Sequence, residues 1–526
     1  MTTPSPAPDG RPDSVAPVRL GDLVLAVPDL AVPAGHAADV LVTGVSLDSR
    51  AVRPGDLYAA LPGLRTHGGW FAAGAVAAGA VAVLTDAAGA RLVHEALEGT
   101  EPGAVPVLVA PHPRAGLGAL GAAVYGRPAD GLLLLGVTGT QGKTTVTYLL
   151  EGGLRAAGYV PGLVGTTGSV ADGRRIASRL TTPEAPELHA VLAVMRERRV
   201  DACALEVSSH ALVQGRVDGL VFDLAVFLNL GRDHLDLHRD EEDYWAAKAQ
   251  LFTAGRARRA VIDVGDRWGQ RLAARTQLPY ATCSTEPGTS ADWRVDDVRL
   301  APTGSSFDVL GPGGRRQQVR LRLPGAFNVR NALAAVAALA ECGLALPDIA
   351  TGLASVPGAP GRMQVVDEGQ GFAAMVDYAH TPDAVAAVLA ALRPTTRGRL
   401  VVVLGAGGDR DHGKRPLMGR AAASQADVVV ITDDNPRTED PAAIRAEVRA
   451  GVGTGYPSGP APRAELVEVP DRAAAIQHAV GLAADGDTVL VAGKGHETGQ
   501  EVAGTVHPFD DREVLRAALR AREARR

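Results

Sequence analysis

Positions 136–145 read GVTGTQGKTT, a glycine-punctuated turn that carries Lys143, Thr144 and Thr145. The strict phosphate-loop spacing, G-x-x-x-x-G-K-[ST], would require glycine at 137, where this chain has Val137. Gly139 and Gly142 still allow backbone N–H groups to curl around phosphate oxygens at a helix N-terminus. In that setting Lys143 would reach the terminal phosphates, and Thr144 or Thr145 would meet Mg²⁺. Glu206 ends the apolar run ALE and His210 follows four residues later. An unpaired carboxylate is costly to bury there, and a divalent cation with oxygen ligands would offset that cost. Lys248, in WAAKAQLF, sits among acidic residues. It reads either as an ordinary ion-pair partner or as a lysine carrying a metal-binding carbamate, and the residues leave both open.

A second set of charged residues lies beyond position 400. VVVLGAGGDRD (401–411) invites a dinucleotide reading, but the fingerprint starting at Gly405 needs glycine at 410 and meets Arg410. A guanidinium in a glycine-rich loop suits a carboxylate or a phosphate, which it grips with two parallel hydrogen bonds. TDDNPRTED (432–440) supplies a second such residue, Arg437, next to Pro436. Two arginines near one rim point to an anionic small molecule.

These groups need elements to hold them. LLLLGVTG, ALEVSS, LAVFLNL and RAVIDV are short apolar runs of the kind that form buried parallel strands, with helical stretches between them. The same alternation returns in AAMVDYAH, LVVVLGAG, DVVVITDD and TVLVAGKG, each a strand ending in a polar or glycine-rich loop. Ligands of open parallel sheets sit at the carboxyl ends of strands, so these loops share one rim. Turn-rich joints at YGRPADG (125–131) and SVPGAPGR (355–362) divide the α/β chain into blocks 19–126, 127–357 and 358–526. A length of 526 residues agrees with roughly three domains.

Composition removes several classes. The net charge of −6 argues against a general nucleic-acid binder. No run of about 18 apolar residues suggests a membrane span. The Pro-rich first 19 residues read as a disordered leader, and the basic C-terminus as a solvated helix in preference to an interaction tail. Cys203, Cys283 and Cys342 match no metal spacing and read as buried thiols in a reducing, cytoplasmic compartment.

GVTGTQGKTT, TTPE (181–184), EVSSHAL, NLGRDHLDLH (229–238), AAKAQLF, LPGAFNVRNA (323–332), PGRMQ, DYAHTPD, GAGGDRDHGKRPLM, DDNPR and AGKGHE (492–497) occur in one order. In this the chain resembles the Mur ligases of peptidoglycan synthesis, and most of all their diaminopimelate-adding members. The resemblance runs from VSLDSR (45–50) to HPFDD (507–511). It implies an N-terminal α/β domain for the uridine nucleotide, a central P-loop-type ATPase with a mostly parallel sheet, and a C-terminal Rossmann-like domain. It also implies a reaction in which ATP activates the free carboxylate of UDP-N-acetylmuramoyl-L-alanyl-D-glutamate as an acyl phosphate, which the amine of 2,6-diaminopimelate then attacks. The expected enzyme is a cytoplasmic monomer that uses Mg²⁺.

By the same resemblance, Gly139, Thr140, Gln141, Gly142, Lys143, Thr144, Thr145 and Asn328 match ATP-binding positions. Lys143, Glu206, His210 and Lys248 match the catalytic set, with Thr144, Glu206, His210 and carbamylated Lys248 around metal. Leu47, Ser49, Thr181, Thr182, Ser208, Gln214 and Arg216 match contacts to the UDP-linked substrate. Arg410, Asp434, Asn435, Pro436, Arg437, Gly493 and Glu497 match the diaminopimelate pocket. The family loop has the form TGTxGKT, which accounts for Val137.

The chain departs from the family at Gln141 and Asp263 (usually Asn), at Gly231 (usually Thr or Ser) and at Ala406 (often Cys). GLRTHGGWF also departs from the common wording near the diphosphate. The competing readings are a lysine-adding Mur ligase or a folylpolyglutamate-synthase-like ligase, both disfavoured by DNPR. A P-loop switch and a nicotinamide enzyme lie further off.

Overall fold

The apolar runs become strands because parallel sheets are covered on both faces and can bury every residue of a short β-branched segment. In the computed structural model, which describes residues 10–25, 27, 30, 36–63, 65–98, 105–176, 178, 180–231, 238–452 and 464–525, the strand Leu133–Thr138 lies inside such a sheet. It pairs in parallel with Ala202–Glu206 on one side and Leu224–Phe227 on the other. The parallel pairing continues through Pro161–Gly165 on one flank and through Ala260–Asp263 and Tyr280–Ser284 on the other. Gly168–Ala171 and Arg174–Ile176 add antiparallel strands at one edge. A separate parallel sheet of four strands, Gly44–Ser46, Asp56–Ala59, Ala82–Thr85 and Val107–Val109, precedes it in the chain.

Both sheets belong to one compact unit, Met1–Cys283 with Ala337–Gly343. Small residues let the helix Leu117–Val124 approach the rest of this unit closely. A Cβ on Gly118 would lie 2.3 Å from the Asp218 carbonyl oxygen, and one on Gly121 would lie 3.0 Å from the His189 ring. His189, on the helix Ala185–Glu197, is buried there, and burial lowers its imidazole to about 4.

The second unit comprises Ser284–Val336 and Leu344–Arg526. It begins with an antiparallel meander, Trp293–Ala301, Gly304–Gly311 and Arg315–Leu321. Its main sheet runs in the order Gln364–Val365, Ala373–Asp377, Thr488–Ala492, Leu400–Leu404, Val428–Ile431 and Glu465–Glu468. All but the first pair are parallel. All four of the apolar runs read beyond position 360 are strands of this sheet.

The C-terminal helix Asp511–Glu523 differs from the solvated helix expected from its basic composition. Leu515, Ala518 and Leu519 are buried, while Arg516 and Arg520 pair with Glu368. The four-residue spacing of Leu515 and Leu519 puts both on one buried face, despite the density of arginines around them. Cys203 and Cys283 are buried and Cys342 is half-buried; burial pushes the Cys203 and Cys342 thiols up to about 12, so neither is a thiolate nucleophile at neutral pH. Residues 1–9 of the expected N-terminal leader lie outside the described residues, as do positions 232–237 of the NLGRDHLDLH motif. The rest of that leader is not disordered as expected, because its polar groups find partners: Arg11 pairs with Asp56 at 2.7 Å, the Asp13 N–H donates to Glu197 at 3.1 Å, and Val18–Arg19 pairs antiparallel with Leu41–Val42. Among the described residues no helix is long and apolar enough to cross a membrane.

Candidate active site

The loop after Leu133–Thr138 turns into the helix Lys143–Ala156 through Gly142, whose φ of 90° lies in the left-handed region that favours glycine. The helix ends near Ala157 and is followed by Gly158 at φ 91°, in the expected terminating position. The loop is clasped by Asn229, which follows the neighbouring strand. The Thr140 N–H donates to the Asn229 carbonyl at 3.0 Å, and the Gln141 N–H to its side-chain oxygen at 2.9 Å. The Asn229 amide returns a bond to the Gln141 carbonyl at 3.1 Å. Gln141 is thus held through its backbone. Lys143 Nζ folds back on the loop, donating to the Gly139 and Thr140 carbonyls at 2.9 and 3.1 Å.

Lys248 reaches the same loop. It is buried on the helix Glu241–Ala249, donates to the Gly139 carbonyl at 3.0 Å, and lies 4.4 Å from the centre of the Tyr244 ring. The Tyr244 hydroxyl accepts from Thr140 Oγ1 at 3.1 Å. Lysine chemistry is therefore brought to the loop from two directions, one local and one from a helix more than a hundred residues away (109 apart for Lys248 and Gly139).

Glu206 is fully buried at the end of its strand. Contrary to the expectation of an unpaired carboxylate, Thr166 satisfies it, through its N–H to Oε1 at 2.9 Å and its hydroxyl to Oε2 at 3.1 Å. Gly165 makes the room: a Cβ there would sit 2.2 Å from Oε1. His210 lies on the short helix Ser209–Val213 with its ring centre 6.2 Å from that of His238, which in turn meets Ser209 Oγ at 3.0 Å. Among the described residues no group of three or more His, Cys, Asp or Glu side chains is placed to hold a metal ion unaided. A sparse oxygen set of Thr144 and Glu206 fits Mg²⁺, which keeps several waters and takes one or two carboxylates together with substrate phosphates. The amine of Lys248 is a donor and would join that set only as a carbamate.

The residues matched to the UDP-linked substrate continue from Glu206. Thr182 Oγ1 donates to the Glu206 carbonyl at 2.7 Å and receives the Ser208 N–H at 3.3 Å. Ser208 caps its helix by accepting the Ala211 N–H, and Thr181 lies 3.2 Å from the Thr166 hydroxyl. Arg216 donates to the Thr182 carbonyl at 3.2 Å and to Gln214 at 2.7 Å. Glu184 pairs with Arg216 at 3.1 Å and with Arg114 at 2.6 Å. Glu184 belongs to the TTPE motif, whereas Arg114 stands in no motif that the sequence singles out. Leu47 and Ser49 lie apart, just past the strand Gly44–Ser46, where both are half-buried and Ser49 bonds the Tyr58 hydroxyl.

In the second unit the strands Ala373–Asp377, Leu400–Leu404, Val428–Ile431 and Thr488–Ala492 are parallel, so their following loops share a rim. The Gly408 N–H donates to the Asn435 carbonyl at 2.8 Å, and the Gly493 N–H to the Asp377 carbonyl at 3.1 Å. Asp434, Asn435 and Lys494 are buried, and Glu497 is half-buried. Asn435 Nδ2 donates to Glu497 at 2.9 Å. Gly493 leaves space for Asp434, since a Cβ there would stand 2.5 Å from its carboxylate.

Arg437 follows Pro436 with a left-handed φ of 52°. Such a backbone persists where its surroundings hold it, here through the Arg437 N–H to the Glu501 carbonyl and the Ala503 N–H to the Arg437 carbonyl. Its side chain donates to the Gly408 carbonyl and lies 3.3 Å from Glu501, so it is already partnered. Arg410 is exposed on the next loop. That loop is braced by buried Arg415, which bonds Glu439, Glu447 and the Gly407 carbonyl; the bonds from Arg415 and from the Asp409 N–H bring the Glu439 carboxyl down to about 2. Asn328 also belongs to this unit, buried, with its amide on the Pro324 carbonyl at 2.8 Å.

Three family models match in succession: "Mur ligase family, catalytic domain" over residues 41–125, "Mur ligase middle domain" over 137–339, and "Mur ligase, glutamate ligase domain" over 361–495. The chain belongs to the Mur ligase family. Among curated Mur ligases it is 52% identical over 521 residues to a protein of Streptomyces coelicolor named UDP-N-acetylmuramoyl-L-alanyl-D-glutamate–2,6-diaminopimelate ligase, covering 99% of both chains. A Corynebacterium glutamicum protein of the same name is 50% identical over 493 residues, 93% of this chain and 94% of that one. A solved structure with that name superposes with a TM-score of 0.68 at 34% identity, covering 97% of this chain and all of the other. The likeness to a folylpolyglutamate synthase of Mycobacterium tuberculosis complexed with ADP, at 20% identity, 72% of this chain, 91% of that one and a TM-score of 0.58, is one of fold.

Within this Mur ligase, sequence reading missed Lys494. It stands inside the recognised AGKGHE motif, and only the fold shows that its ammonium is buried among Asp434, Asn435 and Glu497.

Proposed function

We propose that this chain is the ATP-dependent ligase that joins 2,6-diaminopimelate to UDP-N-acetylmuramoyl-L-alanyl-D-glutamate. The observation that carries this reading is the C-terminal rim of a Mur ligase whose half-identical relatives bear that name. There Arg410 and Arg437 stand on loops of the same rim as Asp434 and Glu497, each loop following one of three neighbouring parallel strands. A diamino diacid needs both signs of charge, and L-lysine lacks the second carboxylate that a guanidinium would hold.

In the reaction the γ-phosphoryl group of ATP passes to the free carboxylate of the UDP-linked dipeptide, giving ADP and an acyl phosphate. The amine of diaminopimelate attacks the acyl carbon, and the tetrahedral intermediate expels phosphate to leave an amide. This chemistry needs alignment and charge neutralisation more than a protein nucleophile. The loop residues Gly139, Thr140, Gln141 and Gly142, shaped by the bonds from the Thr140 and Gln141 N–H groups to Asn229, hold the phosphates with Lys143, Thr144 and Thr145, and Asn328 is assigned to the nucleotide as well. Thr144, Glu206, His210 and Lys248 as a carbamate are the residues assigned to Mg²⁺, which supplies charge neutralisation on phosphate oxygens when bound. Leu47 and Ser49 take the uridine end of the acceptor, and Thr181, Thr182, Ser208, Gln214 and Arg216 its muramoyl-dipeptide end. Arg410, Asp434, Asn435, Pro436, Arg437, Gly493 and Glu497 take diaminopimelate. We assign these tasks to segments 19–126, 127–357 and 358–526 of a monomer. The cytoplasm is the compartment for a reaction that consumes ATP and a nucleotide-linked substrate.

Purified protein with ATP, Mg²⁺, the UDP-linked dipeptide and diaminopimelate is expected to release phosphate only when both acceptor and amino acid are present. Phosphate release indifferent to the amino acid, or equal rates with L-lysine, overturns the reading.

A further inference from the structure

We infer that Lys494 is the residue that tunes the amino-acid pocket, setting both the charge of the Asp434–Glu497 pair and the orientation of Asn435; this rests on the diaminopimelate reading above. Its side chain has no exposed surface, and a buried ammonium is unfavourable unless acceptors surround it. Lys494 Nζ donates to Asn435 Oδ1 at 2.9 Å and to Glu497 Oε2 at 3.2 Å, and Asp434 Oδ1 lies at 3.8 Å. An ammonium has three protons and no acceptor, so it fixes what faces it.

The consequence for Asn435 is specific. Its Oδ1 receives both Lys494 and the Glu501 N–H at 3.0 Å, two groups that only donate. Its Nδ2 must then point the other way, where it meets Glu497 Oε2 at 2.9 Å. That oxygen is engaged by two donors, which leaves Oε1 for an incoming ammonium. The charge follows by count: two carboxylates, Asp434 and Glu497, and one ammonium leave one net negative charge. Arg472 is near but is matched by its own partner, with bonds of 2.7 Å to each oxygen of Asp511. One net negative charge suits one ammonium of a substrate that brings a carboxylate beside it. Two would repel that carboxylate and favour a plain diamine side chain such as lysine. Lys494 touches the pocket's residues and not its substrate, so it is a positioning residue.

The test compares Lys494→Met, Lys494→Gln and Lys494→Arg with wild type in the complete ligase assay. Lys494→Gln keeps a donor to Asn435 without charge, Lys494→Arg keeps the charge, and either serves if Lys494→Met fails to fold. For the Gln and Met variants the KM for diaminopimelate should rise about 30-fold or more, the loss expected when charged hydrogen bonds are removed. The KM values for ATP and the UDP-linked dipeptide should stay within about twofold, and the preference for diaminopimelate over L-lysine should narrow about tenfold. Lys494→Arg should recover part of the loss. The inference is overturned if the diaminopimelate KM of the Gln variant stays within about threefold of wild type, or if all three KM values rise together, as a general loosening of the unit would produce. Wild-type protein that does not use diaminopimelate at all would instead overturn the functional reading on which this one stands.

Discussion

Around Gly139–Lys143 the groups proposed to meet a ligand belong to a glycine-rich loop and its lysine, and Asn229 holds that loop through bonds to its main chain. Around Asp434–Glu497 they are side chains from loops 59 and 62 residues apart, locked together through buried charge. Both regions follow parallel strands, but the first is a backbone shape that Asn229 and Lys248 clasp from outside, and the second a circuit of buried side-chain charge. A shape tolerates a change of side chain that leaves its backbone alone. A circuit fails when one member is lost, because each partner is then left buried without its counter-charge.

The contrast can be broken most sharply at Lys143, the charged side chain that the loop itself supplies. Lys143→Met should lower kcat/KM for ATP about a thousandfold, the scale for losing a preorganised electrostatic donor, with an unchanged melting temperature. A loss below about tenfold would mean that the backbone cradle suffices alone. At the rim the corresponding test is Arg472→Met, which strands Asp511 without its buried partner. Denaturant unfolding should show about 3 kcal/mol of destabilisation in the second unit, while a fluorescent ATP analogue still binds. Equal stability would show that the buried Arg472–Asp511 pair is not needed to hold the strand end at Ala492 beneath the rim. The smallest effect is expected at Gln141. Because Asn229 grips its backbone, Gln141→Asn should change the KM for ATP by less than about tenfold, and a larger change would show that the side chain itself shapes the loop.

The same distinction explains what could be read from residues alone. Short apolar runs foretold the strands of the sheets around Leu133–Thr138 and Leu400–Leu404, because burial on both faces writes itself into consecutive positions. The loop was legible because glycine, lysine and threonine must stand side by side to form it. Lys494 was not, since nothing near it in the chain announces that Asn435 and Glu497 will converge on its ammonium. Arg114 was hidden for a similar reason, its partner Glu184 lying 70 residues further along the chain. The C-terminal helix was misjudged because charge density masked the spacing of Leu515 and Leu519.

Gly165 carries a further lesson. Its φ is not among the left-handed ones, so nothing in its own backbone asks for glycine; the demand comes from the Glu206 carboxylate on the adjacent strand. Every codon change that alters this residue adds at least a Cβ where 2.2 Å of space exists. In a saturation library selected for growth, position 165 should therefore be a blank column, as intolerant as the acid it makes room for.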